Sequence, residues 1–213
     1  MSNIIIIMED FNLNISSGGQ QCHEFYYHLP SPLALNGEWK ATLVDLKTPK
    51  IKNIVGTKIL ILNGRQWTTY EIPDGYFANI GELNIALRAL TIPITLLQRG
   101  NQVKATLKNV DAIRIEGTLA SVLGVEESKI LRNLDDIDID LERPIRMIIV
   151  EFDVVEPEYI GKQKRCVLAS GVPRKLKCPT TLHHLKFSIK NFHGDYLSFH
   201  RGEVYLALAF NKG

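Results

Sequence analysis

Apolar and polar positions alternate through most of this chain. Between residues 39 and 47 one side carries Trp39, Ala41, Leu43, Asp45 and Lys47, and the other carries Lys40, Thr42, Val44 and Leu46. A period of two containing Trp, Thr and Val predicts a strand rather than a helix. Neither face is uniform, because the first runs from apolar to charged and the second from charged to apolar. That mixture is expected of a strand that changes neighbours along its length, as strands of a sandwich do. The preceding Asn36-Gly37 pair suits the positive φ angles of a tight corner. Residues 29–49 therefore read as the end of one strand, a corner and a second, long strand.

The same alternation predicts strands at 4–8, 11–15 and 23–29, the last ending at Pro30 and Pro32, which cannot donate to a ladder. Residues 58–62 and 66–72 flank Asn63-Gly64-Arg65, and residues 94–97 and 103–107 flank Arg99-Gly100-Asn101-Gln102, so each pair reads as a hairpin. Further strands are expected at 111–115, 146–155, 185–190 and 203–210. In the last of these Val204, Leu206, Leu208 and Phe210 share one face. A helical period appears where Ile80, Leu83, Leu87 and Leu90 form one stripe behind an Asn79/Glu82 capping box, before Pro93. One or two helical turns at 118–123 end at Gly124, which stands where a C-cap belongs. The polar segment 125–142 reads as loop. About ten short strands with turn signals between them, and no linker long enough to divide the chain, predict one all-β sandwich or barrel spanning 1–213.

Composition narrows the function classes. The 213 residues are 45% hydrophobic and 23% charged, ordinary for a globular protein with a full core. A net charge of +2 does not make nucleic acid the default partner. Cys22, Cys166 and Cys178 are an odd set without CxxC spacing, which predicts thiols rather than a disulfide framework. The apolar run at 4–8 is too short to cross a bilayer or to act as a secretion signal.

Candidate chemistry is sparse. Asp136, Asp138 and Asp140 alternate, but their loop lacks the glycine and distal glutamate of an EF-hand. His183 and His184 are adjacent and would point to opposite faces of a strand. Cys178 and His183 lack two further zinc ligands at suitable spacing. Ser170-Gly171 is not a GxSxG elbow, and Gly18-Gly19 is not followed by the lysine and helix of a phosphate loop. The expectation is a protein without catalytic residues, metal or cofactor. Charge carries more: Lys162, Lys164, Arg165, Arg174, Lys175 and Lys177 form a run without an acid, and five acids between 135 and 142 form a run without a base. The two runs are read either as solvated loops, or as complementary rims between like subunits or a basic loop facing a polyanion.

Several segments, in order, resemble the minor capsid, or penton, proteins of polinton (Maverick) elements, adintoviruses and virophages. They are PSPLALNGEWKATLVDLKTP at 30–49, IPDGYFANIGELNIAL at 72–87, LASVLGV at 119–125, MIIVEFDVVEPEYIGKQKRCVL at 147–168 and GEVYLALAF at 202–210. The resemblance implies a single jelly-roll, an antiparallel β-sandwich with one or two short helices in its connections. It also implies homo-pentamers at the vertices of an icosahedral virion, assembled in the host cell beside a double jelly-roll major capsid protein. In that setting the basic stretch 162–177 could contact packaged DNA without sequence preference, and Asp45 and Lys47 would lie near a rim where subunits meet. The alternative is a glycan-binding sandwich in which Trp67, Tyr70, Tyr76 and Phe77 stack on sugars.

Overall fold

The computed structural model describes residues 5–7, 9–19, 23–99, 102–134, 137–177 and 180–213. In chain order β1 (Ile5–Ile7), β2 (Phe11–Ser16), β3 (Glu24–Leu35) and β4 (Trp39–Lys47) come first. They are followed by β5 (Thr57–Asn63), β6 (Gln66–Ile72), α1 (Ile80–Ala89), β7 (Ile94–Arg99), β8 (Gln102–Leu107), β9 (Ala112–Glu116), α2 (Thr118–Leu123), β10 (Ile130–Leu131) and a 3₁₀ turn at Arg143–Ile145. Then come β11 (Ile149–Phe152), β12 (Glu158–Ile160), β13 (Gln163–Arg165), β14 (Val167–Leu168), β15 (Arg174–Lys175), β16 (Thr180–Lys190) and β17 (Tyr205–Lys212). The chain forms two compact units, one from Met1–Lys50 with Met147–Gly213 and one from Ile51–Arg146, so the second is inserted in sequence between β4 and β11.

The first unit holds two sheets, ordered β1-β3-β16-β11-β14 and β15-β4-β17-β2. Setting aside β1 and the separate β12–β13 hairpin leaves eight strands whose pairings are nested. The first pairs with the eighth (β2 with β17), the second with the seventh (β3 with β16), the third with the sixth (β4 with β15) and the fourth with the fifth (β11 with β14), all antiparallel. The third then lies against the eighth and the fourth against the seventh. A long hairpin rolled on itself in this way is a jelly-roll. The fold is therefore all-β with two short α-helices.

Its core follows from the inner faces of the two sheets. Phe25, Phe187 and Phe152 lie in register across β3, β16 and β11, with ring centroids 5.5 and 4.7 Å apart. Phe152 meets Phe210 of the opposite sheet edge-on at 6.4 Å, and Phe11 stacks on Phe210 at 4.7 Å. Trp39 is buried beside Phe11 and donates its Nε1–H to the Asn36 carbonyl at 3.1 Å. This row of rings joins the two sheets, and Val204, Leu206, Leu208 and Phe210 are all buried on one face, as their alternation predicts.

Three details of the strands differ from the sequence expectation. β3 does not stop at Pro30 but continues to Leu35. Its register with β16 jumps between His28↔His184 and Leu33↔Leu182, so residues 29–32 lie in a bulged interval where a proline breaks no ladder pair. β4 does not change neighbours to produce its mixed faces, since it follows β17 along its whole length. Instead Val44 has no residue opposite it, because Leu43 pairs with Leu208 and Asp45 with Ala207. This bulge inverts the phase: Trp39, Ala41 and Leu43 point inward before it, Leu46 takes the place opposite buried Leu206 after it, and Val44 is 58% exposed. Finally, the strand expected at 146–155 is confined to β11, with the Pro144-containing 3₁₀ turn ahead of it and a turn closed by Val155 N–H to the Phe152 carbonyl behind it.

The second unit has a four-stranded antiparallel sheet, β10-β9-β5-β6, and the β7–β8 hairpin. β5 and β6 meet through Gly64-Arg65, with Gly64 at φ +62°. Asn79 caps α1 by accepting from the Glu82 N–H at 3.0 Å, while Glu82 accepts from Ala78, and Gly124 ends α2 in the left-handed conformation. Ile59, Ile61, Ile113 and Ile115 from the sheet join Leu83 and Leu87 from α1 and Leu119, Val122 and Leu123 from α2 in a core of their own. Ile137, Ile139 and Leu141 pack partly against that core; between them Asp138 turns outward, whereas the Asp140 side chain is only 20% exposed.

Candidate functional site

The outer face of β16 carries Lys186, Ser188 and Lys190 between the buried Leu185, Phe187 and Ile189. Strand register places Glu24 of β3 and Glu151 of β11 on either side of Ser188, one layer above the Phe25–Phe187–Phe152 row. The acid in the middle of the apolar run at 147–155 is thus an outward-facing group. Together with Asp153, Gln163, Lys164, Arg165, Cys166, Lys177, Gly194 and Tyr196 these side chains surround an open cleft of about 670 Å³.

Two carboxylates organise the cleft. Glu151 accepts from Arg165 Nε at 2.5 Å through one oxygen and from Lys190 Nζ at 2.8 Å through the other. Arg165 has a side chain only 5% exposed, and its Nη1 donates to the Phe192 carbonyl at 3.3 Å. Burial pushes the Glu151 carboxyl up, but hydrogen bonds from Lys190 and Arg165, with their charges, outweigh it and hold the group below the ordinary glutamate range. Glu24 accepts from the Tyr196 hydroxyl at 2.7 Å and pairs with Lys186 at 3.2 Å. The Tyr196 hydrogen bond is the main reason its carboxyl is also lowered. Hydrogen bonding to Tyr26, then to Glu24, raises the Lys186 ammonium. Both acids are ionised and Lys186 is protonated at neutral pH. Five cations (Lys164, Arg165, Lys177, Lys186, Lys190) against three acids (Glu24, Glu151, Asp153) leave the lining at +2.

The basic run singled out in the sequence divides into different roles. Arg165 is buried on Glu151, Arg174 is ion-paired with Glu158, Lys175 with Glu38 at 3.1 Å, and Lys177 donates to the Asp153 carbonyl at 2.5 Å. Lys162, in the β12–β13 turn, and Lys164, on β13, are exposed, and their side chains have no ion pair or hydrogen bond among the described residues. The acidic run is engaged locally too: Asp138 pairs with Arg143 at 2.6 Å and Asp140 with Arg146, while Asp136 lies outside the described residues. Asp45 and Lys47 are exposed and pair with each other at 3.7 Å. Glu24, Glu151, Lys186, Ser188, Lys190 and Tyr196 escaped the sequence reading, although the alternation of Lys186, Ser188 and Lys190 within LKFSIK marks a polar outer face.

The remaining candidates are placed as follows. Among the described residues no three His, Cys, Asp or Glu side chains converge on a metal position. His183 lies in the β16 bulge, and both it and His184 are exposed. Cys166 is a free thiol, and Cys22 and Cys178 lie outside the described residues. Of the aromatic residues proposed for sugar stacking, Tyr70 and Phe77 pack against the second unit's core, Tyr76 is half-buried and Trp67 is 39% exposed. Among the described residues no helix is long and apolar enough to cross a membrane.

No protein-family model and no curated protein sequence matches the chain. A crystal structure of the selenomethionine-labelled mavirus penton protein is similar to it over 95% of this chain and 98% of that one, at 14% identity and a TM-score of 0.43.

Proposed function

We propose that residues 1–213 form one subunit of a viral capsid, a minor capsid (penton) protein that closes into homo-pentamers at the icosahedral vertices beside a double jelly-roll major capsid protein. The observation that carries this reading is the nested order of the eight strands in the first unit, with residues that resemble penton proteins falling at defined places in it. The segment 30–49 spans the second half of β3 and β4, 147–168 spans β11 to β14, and 202–210 ends in β17. The segments 72–87 and 119–125 contain the start of α1 and most of α2. A jelly-roll alone does not specify a task, since one fold hosts many functions; the ordered sequence segments are what direct it toward a capsid.

A ring of five needs two different patches of each subunit to meet and close. Lys162 and Lys164 are cations available for such a patch, for non-specific contact with packaged DNA, or for both. The acidic run is a weaker complement than its sequence suggests, because Asp138 and Asp140 are already paired within the subunit. No step in this role calls for a catalytic group. Light scattering with negative-stain imaging of the purified protein, alone and mixed with the major capsid protein, tests the reading. Five-fold rings are expected, and a monomer under all these conditions overturns it.

A further inference from the structure

The cleft on the outer face of β3, β16 and β11 is more than a by-product of packing. Its lining carries a surplus of two positive charges. Lys164 stands at it with a side chain that has no partner among the described residues. Arg165, almost wholly buried in its wall, spends Nε on Glu151 and Nη1 on Phe192, and its Nη2 has no hydrogen-bond partner among the described residues. That nitrogen is closed off from solvent, so Arg165 contributes positive charge to the wall of the cleft, while Lys164 offers the accessible donor. The volume lies in the range of ligand-binding clefts.

We propose that this cleft docks an acidic peptide segment whose side-chain carboxylate is held by Lys164 in the net positive field of the lining. The proposal rests on the capsid reading only for the source of that segment, a second polypeptide of the shell. The distribution of charge favours a peptide over a nucleic acid. Glu24, Glu151 and Asp153 lie among the cations, and Glu24 and Glu151 are held ionised. A backbone with a phosphate at every step would meet them repulsively. A peptide alternates its carboxylates with neutral N–H groups, which those same acids can accept.

The test is fluorescence-anisotropy titration of the full chain with a labelled, capped Gly-Glu-Gly-Glu-Gly-Glu peptide at low salt, beside its Gln counterpart and a DNA duplex. The Glu peptide should bind saturably and the Gln peptide about tenfold or more weaker. Lys164→Glu should weaken the Glu peptide by a similar factor with an unchanged melting temperature, and Lys164→Arg should restore it to within about twofold. Equal binding of the two peptides, no binding of the Glu peptide, an inert Lys164→Glu, or saturable binding of DNA alone each overturns the inference. Five-fold rings that ignore the peptide would sink the docking site and leave the capsid reading standing. Peptide binding by a protein that never assembles would do the reverse.

Discussion

Glu151 is the test of how the cleft is held together. Its two oxygens serve Arg165 and Lys190, and the exposures of the three side chains are 19%, 5% and 19%. Glu151→Gln keeps the shape and removes the charge; its one amide oxygen can accept from Arg165 or from Lys190 but its NH2 then faces the other donor, and the buried Arg165 guanidinium loses its counter-charge. Breaking a buried pair by removing one partner costs about 3–5 kcal/mol, because the other charge is left uncompensated. Lys190 and Glu151 keep some contact with water, so the lower end applies, about 3 kcal/mol. For a chain of this length that corresponds to a fall in melting temperature of roughly 6–12 °C. Urea unfolding at pH 7, followed by circular dichroism, measures it directly.

The pH dependence supplies a second, independent readout. The Glu151 carboxyl is lowered in the folded protein. A group whose folded pKa lies below its unfolded value of about 4.3 contributes stability in full above that value, and loses it as pH falls through the folded pKa. The wild-type protein should therefore lose stability below about pH 4.3, and the part of that loss due to Glu151 should vanish in Glu151→Gln. Glu24 titrates with the same sign and keeps part of the slope in the variant. A variant within about 0.5 kcal/mol of wild type at pH 7, or one with an unaltered acid limb, would show that Arg165 and Lys190 do not depend on this carboxylate.

The other two stability tests probe the two units separately. A Cβ at Gly117 (φ +79°) would stand 2.3 Å from the Gly56 carbonyl oxygen, so Gly117→Ala should cost about 2–5 kcal/mol from strain and overlap. Gly64→Ala, with positive φ but open space, should cost about 1–2 kcal/mol, and equal effects in thermal melts would refute the close approach. Phe152→Ala removes the ring that meets both Phe187 and Phe210, and should cost about 3–5 kcal/mol in urea melts. A loss under about 1 kcal/mol would mean that the aromatic row does not hold the sheets together.

Much of the fold was legible because local chemistry and tertiary packing agree. The Asn79 cap, Gly124 at the end of α2, the Gly64-Arg65 turn and the alternation of β17 all lie where the residues predict. The division at Lys50 and Met147 has no compositional mark, since both units are built from the same short apolar strands and their cores are separated only by which strands pair. The cleft was hidden for a related reason. Along a sequence charge stands out as runs, and the run at 162–177 is conspicuous. The cleft instead draws single residues from β3, β11, β13 and β16, far apart in sequence, and joins them by register. Arg165 looked like one member of a solvated basic loop, whereas a carboxylate 14 positions earlier draws it into the buried wall of the cleft.

The stretch from Trp39 to Lys47 shows how the structure refines such a pattern. Its mixed faces are a consequence of one extra residue. Without the bulge at Val44, strict alternation would place Asp45 on the inward face after Leu43, and Leu46 outward. An ionised carboxylate without a partner in that core would be far more costly than one unpaired ladder position. With the bulge, Leu46 faces Leu206 and the Asp45–Lys47 pair stays in water. The charged end of β4 is thus kept at the surface by a backbone irregularity at one residue. It leaves an exposed, net-neutral ion pair on the sheet opposite the cleft, whose own lining carries the surplus of positive charge.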